Sequence, residues 1–171
     1  VTASVKKPVA STTGLYILTK GKTNTVATKA TPSTANNKKV AIKSSKTKVA
    51  KITAKGAIKA VKPGTAKVTV TAKDGSKTKT TFTVRVINKV TKKITSVTAV
   101  AAKTTLNVGE TTKVTATVAP TNASFKTLAY TSSNAKVATV DAKGNVKALK
   151  AGTTTIKVAA LDGSKKSASV K

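Results

Sequence analysis

The stretch KVATVDAKGNVKALKAGTTTIKV, Lys136–Val158, alternates small apolar residues with lysine and threonine and contains a single acid. Alternation with a period of two is the pattern of a β-strand that buries one face. A near copy, KVAKITAKGAIKAVKPGTAKVTV, occupies Lys48–Val70, 88 residues earlier in the chain. The sequence therefore repeats one unit that is built from strands.

The repeat continues at the same offset, without a gap, beyond these two segments. The tetrapeptide DGSK at Asp74–Lys77 recurs as DGSK at Asp162–Lys165. A period of this length suits a small independent domain rather than a solenoid repeat. The sequence predicts two tandem domains, residues 1–88 and 94–171, joined by a short polar linker at 89–93.

The second copy is shorter than the first at its end. The first copy closes with the strand sequence TTFTVRVI, Thr80–Ile87, whose counterpart would extend past Lys171, where the sequence stops. We expect the last strand of the second copy either to end early or to have lost its tail. The chain also begins at Val1 rather than Met, which favours a processed or excised piece of a longer protein.

Within each copy, strands with an apolar face alternate with turn residues. One such face in the first copy is formed by Ala66, Val68, Val70 and Ala72, with lysine and threonine between them. β-Branched residues dominate these runs, as is typical of strands. Turn residues separate the runs by about 8 to 12 residues, the spacing of an antiparallel sandwich. The sequence predicts an all-β fold with about seven strands per copy and no helix.

Several turns are predicted from the residues that they contain. The Asp-Gly pairs of the two DGSK sequences are predicted to form tight hairpin turns, because such turns need positive φ values. Pro32 and Pro120 are each predicted to end a strand.

The composition excludes most catalytic and metal sites. The chain contains no Cys, His, Met or Trp, so that neither a Ser-His or Cys-His pair nor a histidine-ligated metal can be built. The four acids, Asp74, Glu110, Asp141 and Asp162, are scattered, whereas a calcium site needs clustered oxygen ligands. Turn geometry accounts for the three aspartates. We predict no catalytic, cofactor-binding or metal-binding residue.

These features resemble a known family. The sequences LNVGETTKVTATVAPTNAS and SSNAKVATVDAKGNVKALKAGTTTIKV are similar to the bacterial immunoglobulin-like domain of group 2, and the first copy matches at Ser44, Gly56 and Gly64. The resemblance covers Leu18–Val84 and Leu106–Val170. It implies two tandem Ig-like antiparallel β-sandwiches, used as spacers, stalks or adhesive modules on bacterial surface proteins or on phage virions, with no shared catalytic residues.

Two positions depart from the family pattern. Tyr130 and its counterpart Ile42 stand where the family often has Trp, which implies a lighter core. We favour core packing for both, with sugar stacking on the Tyr130 ring as the alternative. A Lys–Asn isopeptide cross-link is not predicted, because no lysine is clearly placed on an apolar face and Glu110 is the only glutamate.

Lysine dominates the charge of the chain. There are 33 Lys and Arg residues against 4 Asp and Glu, a formal charge of +29, and Arg85 is the only arginine. Three interpretations remain open: a solvated surface that prevents edge pairing, adhesion to an anionic polymer, and nucleic-acid binding. The last is the weakest, because base reading favours arginine and single strands stack on exposed aromatic rings. No specific nucleic-acid partner is predicted.

The sequence predicts a non-catalytic structural or adhesive module, extracellular, in a bacterial cell-surface or surface-layer protein. Its lysine-rich faces would contact an anionic cell-wall polymer or glycan, and other copies of the parent protein are further candidate partners. No apolar run approaches the roughly 20 residues that span a bilayer. The alternatives are a phage virion accessory domain that binds surface glycans and a module attached to a carbohydrate-active enzyme.

Overall fold

The computed structural model describes residues 1–6, 8–12, 14–29, 37–53 and 55–171. Strands, turns and extended segments make up this part of the chain, and no helix occurs in it. The all-β prediction is confirmed. Within these residues there is accordingly no helix that could cross a membrane.

The chain divides into two compact units, Val1–Lys89 and Val90–Lys171. The residues of the predicted linker, 89–93, belong to no strand. In the second unit the Lys92 N–H donates to Ser124 Oγ at 2.8 Å, and the Ser124 N–H donates to the Lys92 carbonyl at 2.9 Å. These bonds fasten the last part of the predicted linker to the second unit.

The first unit is a sandwich of two sheets. Its strands are β1 Thr2–Val5, β2 Ala10–Thr12, β3 Leu15–Thr19, β4 Thr23–Lys29, β5 Val40–Ser44, β6 Ala50–Ile52, β7 Ala57–Ala60, β8 Gly64–Ala72 and β9 Lys79–Ile87. One sheet has the order β1-β4-β7-β6 and the other the order β2-β3-β9-β8-β5.

The second unit repeats this arrangement with fewer strands. They are β10 Ser96–Ala101, β11 Thr111–Ala119, β12 Leu128–Ser132, β13 Ala138–Val140, β14 Asn145–Ala148, β15 Ile156–Ala160 and β16 Ser167–Val170. The sheets have the orders β10-β11-β14-β13 and β12-β15-β16. Seven strands match the predicted number for a copy.

The first unit departs from the prediction in two ways. Its described residues form nine strands rather than seven, because the segment before Lys20 is divided into three short strands. In addition, β3 pairs with β9 in parallel, whereas every other strand pair among the described residues is antiparallel. The parallel pairing brings Ile17 and Leu18 into the interior, where both are fully buried. Burial of each side chain contributes roughly 1.5–3 kcal/mol, which explains why this extra strand forms.

The core of each unit lies between its two sheets. In the first unit Ala66, Val68, Val70 and Ala72 are all buried, as the alternation predicts, and they face a sheet that contributes Ile58. In the second unit the buried core cluster consists of valine, isoleucine and alanine. A core of such small side chains buries little area per residue, so each unit depends on close packing and complete backbone pairing.

The two DGSK turns are longer than predicted. They do join antiparallel strands, but β8 ends at Ala72 and β9 begins at Lys79. Positive φ values occur at Gly75, 90°, and at Lys77, 56°, rather than at the aspartate. The tight two-residue turn was therefore a wrong prediction, because the aspartate accepts hydrogen bonds from the loop instead of occupying the turn itself. Pro32 lies outside the described residues, whereas β11 ends directly before Pro120, as predicted.

Candidate functional site

Lysine side chains cover the outward faces of the strands. On β8, Lys67 is exposed between the buried residues Ala66 and Val68. Across the other sheet of the first unit, Lys51 of β6 lies directly opposite Lys59 of β7, and both are exposed. The alternation that builds the core thus also produces ammonium-bearing outer faces.

Few of these ammonium groups are neutralised. Among the described residues the one ion pair joins Lys103 Nζ to Glu110 Oε1 at 3.2 Å, in the second unit. Glu110 Oε2 also accepts the Asn107 N–H at 2.8 Å. These contacts, the backbone hydrogen bond first and the lysine second, hold the pKa of Glu110 below its ordinary value.

Two of the aspartates bind their own turns. Asp74 Oδ1 accepts the Ser76 hydroxyl at 2.6 Å and the Ser76 N–H at 3.0 Å. Asp141 accepts the Asn145 side-chain amide at 2.6 Å and the backbone N–H groups of Lys143 and Asn145 at 2.8 and 2.9 Å. The hydrogen bonds from Ser76 and Asn145 lower the pKa values of Asp74 and Asp141 respectively. Both carboxylates are therefore structural, as the turn interpretation predicted.

Asp162 has a role that the sequence did not reveal. It is buried, with 1% of its surface exposed, whereas its counterpart Asp74 is exposed. Its Oδ2 accepts the N–H of the buried residue Ile94 at 2.6 Å, and its Oδ1 accepts the Ser164 N–H at 2.9 Å. Burial raises the pKa of Asp162, but the hydrogen bonds from Ser164 and Ile94 outweigh it, so that the pKa is lowered.

The turn explanation of Asp162 was therefore incomplete. Besides its turn, this carboxylate fixes the backbone at the entry to the second unit. The DGSK sequence carries no signal of this role, because it is identical in the first unit, where Asp74 binds only its own turn. No group of three or more acids, cysteines or histidines that could hold a metal ion occurs among the described residues.

Tyr130 of β12 and Ile42 of β5 occupy equivalent places in the two units. Both are half-buried and pack against the cores of their units, which agrees with the predicted packing role. The Tyr130 ring covers Gly144, whose backbone has a φ of 82°. The Tyr130 ring thus contacts both Gly144 and the core, and core packing explains its position. Asn24 and Asp162 are the buried polar residues of the described chain, and no lysine in it is buried.

A cavity of about 530 Å³ lies at one end of the second unit. Its walls include the apolar residues Leu106, Val146 and Ile156, and lysines stand at its rim. In the first unit, Gly64–Ala66 of β8 pair with Val84–Val86, the second half of β9. Their counterparts in the second unit, 152–154, line the cavity and belong to no strand.

The cavity therefore lies at the position that the second half of β9 occupies in the first unit. β9 contains nine residues, whereas β16 contains four and ends at Val170. Leu18, which is fully buried beside β9, has its counterpart in Leu106, which is half-buried on the cavity wall. An extended chain with apolar residues at alternate positions would fit this space, as it does in the first unit.

Lengthening the chain tests this interpretation of the cavity. Addition of the first-unit sequence Val-Arg-Val-Ile after Lys171 is expected to stabilise the second unit by about 1–2 kcal/mol, since burial of the apolar side chains outweighs the cost of ordering them. Denaturant unfolding of the lengthened chain measures the change. A matched Ser-Arg-Ser-Ser extension should leave stability unchanged, and equal stabilisation by both extensions would contradict the assignment.

Comparison with known proteins identifies a family and relatives. The family model described as bacterial Ig-like domain (group 2) matches residues 7–84 and 93–170. An uncharacterised protein of Clostridium acetobutylicum is 36% identical over 141 residues, which are 82% of this chain and 14% of that protein. A 3-O-alpha-D-galactosyl-alpha-L-arabinofuranosidase of Bifidobacterium longum subsp. longum is 44% identical over 68 residues, 40% of this chain and 6% of the enzyme. The chain thus spans a small part of both relatives.

Solved structures give weaker similarities. A C-terminal fragment of intimin, in complex with the intimin-binding domain of its translocated receptor, aligns with 99% of this chain and 62% of its own, at 18% identity and a TM-score of 0.35. Domains 4 and 5 of the S-layer protein SbsC align with 86% of this chain and 80% of their own, at 21% identity and a TM-score of 0.33. At these scores neither structure bears on what this chain does.

Proposed function

The chain belongs to the bacterial Ig-like domain (group 2) family, with two copies of the domain in series, and on this premise we propose that it is a non-catalytic structural and adhesive segment of a bacterial cell-surface protein. In this proposal the sandwiches set the length of the segment, and the lysine-rich faces contact anionic polymers of the cell wall. The observation that carries the proposal is the outward projection of lysines from rigid strands with very few carboxylates beside them.

The inventory of polar groups supports a passive role. Each of the four carboxylates accepts hydrogen bonds from its own neighbourhood: Asp74, Glu110, Asp141 and Asp162. A general acid or base needs a pKa shifted towards the working pH, whereas the pKa values of all four are lowered. The carboxylates thus stabilise loops and are poorly suited to proton transfer.

The charge supports contact with a polymer rather than with a small ligand. A formal charge of +29 generates a field that extends about 8 Å into physiological salt. Lysine is a compact, strongly hydrated point charge, so it attracts anions without demanding one geometry. A polymer with many weakly placed anions can engage many lysines together, which suits teichoic acids and acidic glycans. Other copies of the parent protein are further proposed partners, because they would lie on the same cell surface.

One relative supports a second proposal, in which the domains are attached to an enzyme. The similarity to part of an arabinofuranosidase suggests that this domain type also accompanies enzymes. In that setting the two units would be an accessory module beside a catalytic domain. Such a module would be expected to bind a neutral arabinan polymer through contacts that do not depend on salt.

A salt series distinguishes these proposals. We expect the affinity of the chain for poly(glycerol phosphate) to fall roughly 30-fold between about 50 and 200 mM salt, because each phosphate contact releases counterions. Isothermal titration or surface retention measures the affinity, with neutral arabinan as the comparison polymer. Binding of arabinan that ignores salt would favour the enzyme-associated module. Absence of binding to the anionic polymer at low salt would rule out the adhesive role of the lysines.

A further inference from the structure

The positive charge is distributed unequally between the two units. The first unit, Val1–Lys89, contains 20 of the 33 basic residues and one of the four acids, for a net charge of +19. The second unit contains the other 13 basic residues and three acids, for a net charge of +10. Because the two units share one fold, most positions in one have a structural counterpart in the other that serves as a control.

Much of the difference lies at one corner of the sheet β1-β4-β7-β6. Six exposed lysines lie on β6 and β7 or in the segments next to β4, β6 and β7, and they are called the lysine corner: Lys22, Lys46, Lys48, Lys51, Lys59 and Lys62. Strand pairing and loop hydrogen bonds place their backbone segments beside one another.

One pair of these lysines faces each other directly across two strands. Lys51 lies opposite Lys59 across β6 and β7, and Lys59 lies opposite Thr23, the residue after Lys22. The Lys22 carbonyl accepts the Ala60 N–H at 2.9 Å.

The remaining lysines are held by the loops beside β6. The Lys46 carbonyl accepts the N–H groups of Val49 and Ala50, each at 3.0 Å. The Lys62 N–H donates to the Val49 carbonyl at 3.4 Å, and Lys48 immediately precedes Val49 in the chain. The backbone of the corner is thus fixed, although the ammonium groups are free to move.

The corner is electrostatically unfavourable for the protein by itself. None of its six side chains has a hydrogen-bond or ion-pair partner among the described residues, where the one ion pair lies in the second unit. Like charges that face each other across neighbouring strands are destabilising. Folding therefore concentrates uncompensated charge at this corner, and a bound polyanion would relieve the repulsion.

The second unit shows that the fold does not require this charge. The counterparts of the six lysines are Glu110, Asn134, Lys136, Thr139, Lys147 and Lys150, which carry a net charge of +2 instead of +6. Lys113 adds a charge on this face, where the first unit has Thr25, but Asp141 stands close enough to offset it. Lys113 Nζ also donates to Asn145 Oδ1 at 3.2 Å.

We propose that the lysine corner of the first unit is a binding site for a linear phosphodiester polymer of the cell wall. This proposal rests on the polymer contact proposed above and assigns it to one place in one unit. Residues two apart on a strand are separated by about 6.6 Å, and facing residues by about 5 Å. Mobile ammonium groups at these spacings can follow successive phosphates along a flexible chain.

The residue types favour phosphate that is read as charge. Arginine forks recognise planar anions in a bidentate manner, whereas lysine binds phosphate as a point charge. The corner contains six lysines and no arginine or aromatic ring, so it offers neither a fork nor a surface for stacking bases. A polymer without bases, such as poly(glycerol phosphate), therefore supplies everything that the corner can recognise.

The test converts the corner to its second-unit counterpart. The triple variant Lys22→Glu, Lys46→Asn and Lys51→Thr introduces residues that the same fold already carries in the second unit. In the full chain we expect the affinity for poly(glycerol phosphate) to fall on the order of 10- to 50-fold and the dependence of affinity on salt to become shallower. Thermal melting should show that the variant is as stable as the original chain or more stable.

A matched control removes the same charge from scattered positions. The triple variant Lys79→Thr, Lys157→Glu and Lys166→Asn alters exposed lysines outside the corner and should weaken binding by less than about threefold. If the two variants lost equal affinity, the assignment of the site to the lysine corner would be wrong, whereas the proposal of polymer contact would stand. If the unmodified chain does not bind, both proposals fail, so the two failures can be told apart.

Transfer of the site gives an independent result. The variant Glu110→Lys, Asn134→Lys and Thr139→Lys builds the corner in the second unit, and we expect the stoichiometry of polymer sites to rise from about one to about two per chain. An unchanged stoichiometry would count against the assignment. A single-stranded oligonucleotide with the same number of phosphates should bind no more tightly than poly(glycerol phosphate). Tighter oligonucleotide binding would contradict the cell-wall polymer as occupant.

Discussion

Replacement of Gly144 by alanine is expected to destabilise the second unit by about 4 kcal/mol. Gly144 has a φ of 82°, which costs an alanine about 1–2 kcal/mol. A Cβ there would also lie 2.4 Å from the Val114 carbonyl oxygen and 2.9 Å from Cε1 of Tyr130. Because the oxygen belongs to a paired strand and cannot move freely, relief of this overlap adds about 1–3 kcal/mol.

The counterpart in the first unit provides the control. Gly56 has a similar φ of 74°, but a Cβ there would meet only Cδ1 of Ile42, at 3.8 Å. Gly56→Ala should therefore cost only the backbone term, about 1 kcal/mol. Denaturant unfolding of Gly144→Ala can be followed by Tyr130 fluorescence in a Tyr16→Phe background, and that of Gly56→Ala by Tyr16 fluorescence in a Tyr130→Phe background. If the two substitutions lowered the free energy of unfolding equally, the Tyr130 ring and the Val114 carbonyl would be able to move away at little cost, and the prediction would be wrong.

Periodicity and repetition predicted most of the fold. The buried face of β8 follows from alternation, and the two units follow from the 88-residue offset. The parallel pairing of β3 with β9 was missed, because the segment before Lys20 is short and its partner lies far away in the sequence. Local patterns report which face of a strand is buried, but they do not report which distant strand it pairs with.

The sequence predicted the residue type of the candidate binding site but not its position in the fold. Composition alone showed that lysine would dominate the surface, whereas the concentration of six lysines at one corner depends on the register of β6 with β7 and on the loops beside them. The sequence did not predict the buried role of Asp162 for a similar reason. Its partner, Ile94, is 68 residues away, and the DGSK sequence around the carboxylate is identical in the first unit.

Replacement of Asp162 by alanine is expected to destabilise the second unit by about 3 kcal/mol. The change removes a charged acceptor at 2.6 Å from the Ile94 N–H, and Ile94 is itself buried. A buried N–H left without a partner costs about 1–3 kcal/mol, and bonds to charged acceptors lie at the upper end of this range. The loop also loses the acceptor for the Ser164 N–H. Denaturant unfolding of the full chain in the Tyr16→Phe background measures the loss.

The destabilisation should depend on pH with a defined sign. The pKa of Asp162 is lowered in the folded protein, so the carboxylate contributes its full stability above the ordinary aspartate pKa of about 3.9. That contribution is lost as the pH falls from this value through the lowered folded pKa. The gap in stability between the original chain and Asp162→Ala should therefore be constant near neutrality and narrow below about pH 4.

The first unit again supplies the comparison. Asp74 stands in the same DGSK sequence but is exposed and accepts hydrogen bonds from Ser76 alone. Asp74→Ala should leave the stability of the first unit nearly unchanged, because water replaces the lost acceptor. The Asp162→Asn variant keeps one neutral acceptor and should fall between the original chain and Asp162→Ala. If Asp162→Ala proved as mild as Asp74→Ala, the bond to Ile94 would not be what holds the entry of the second unit in place.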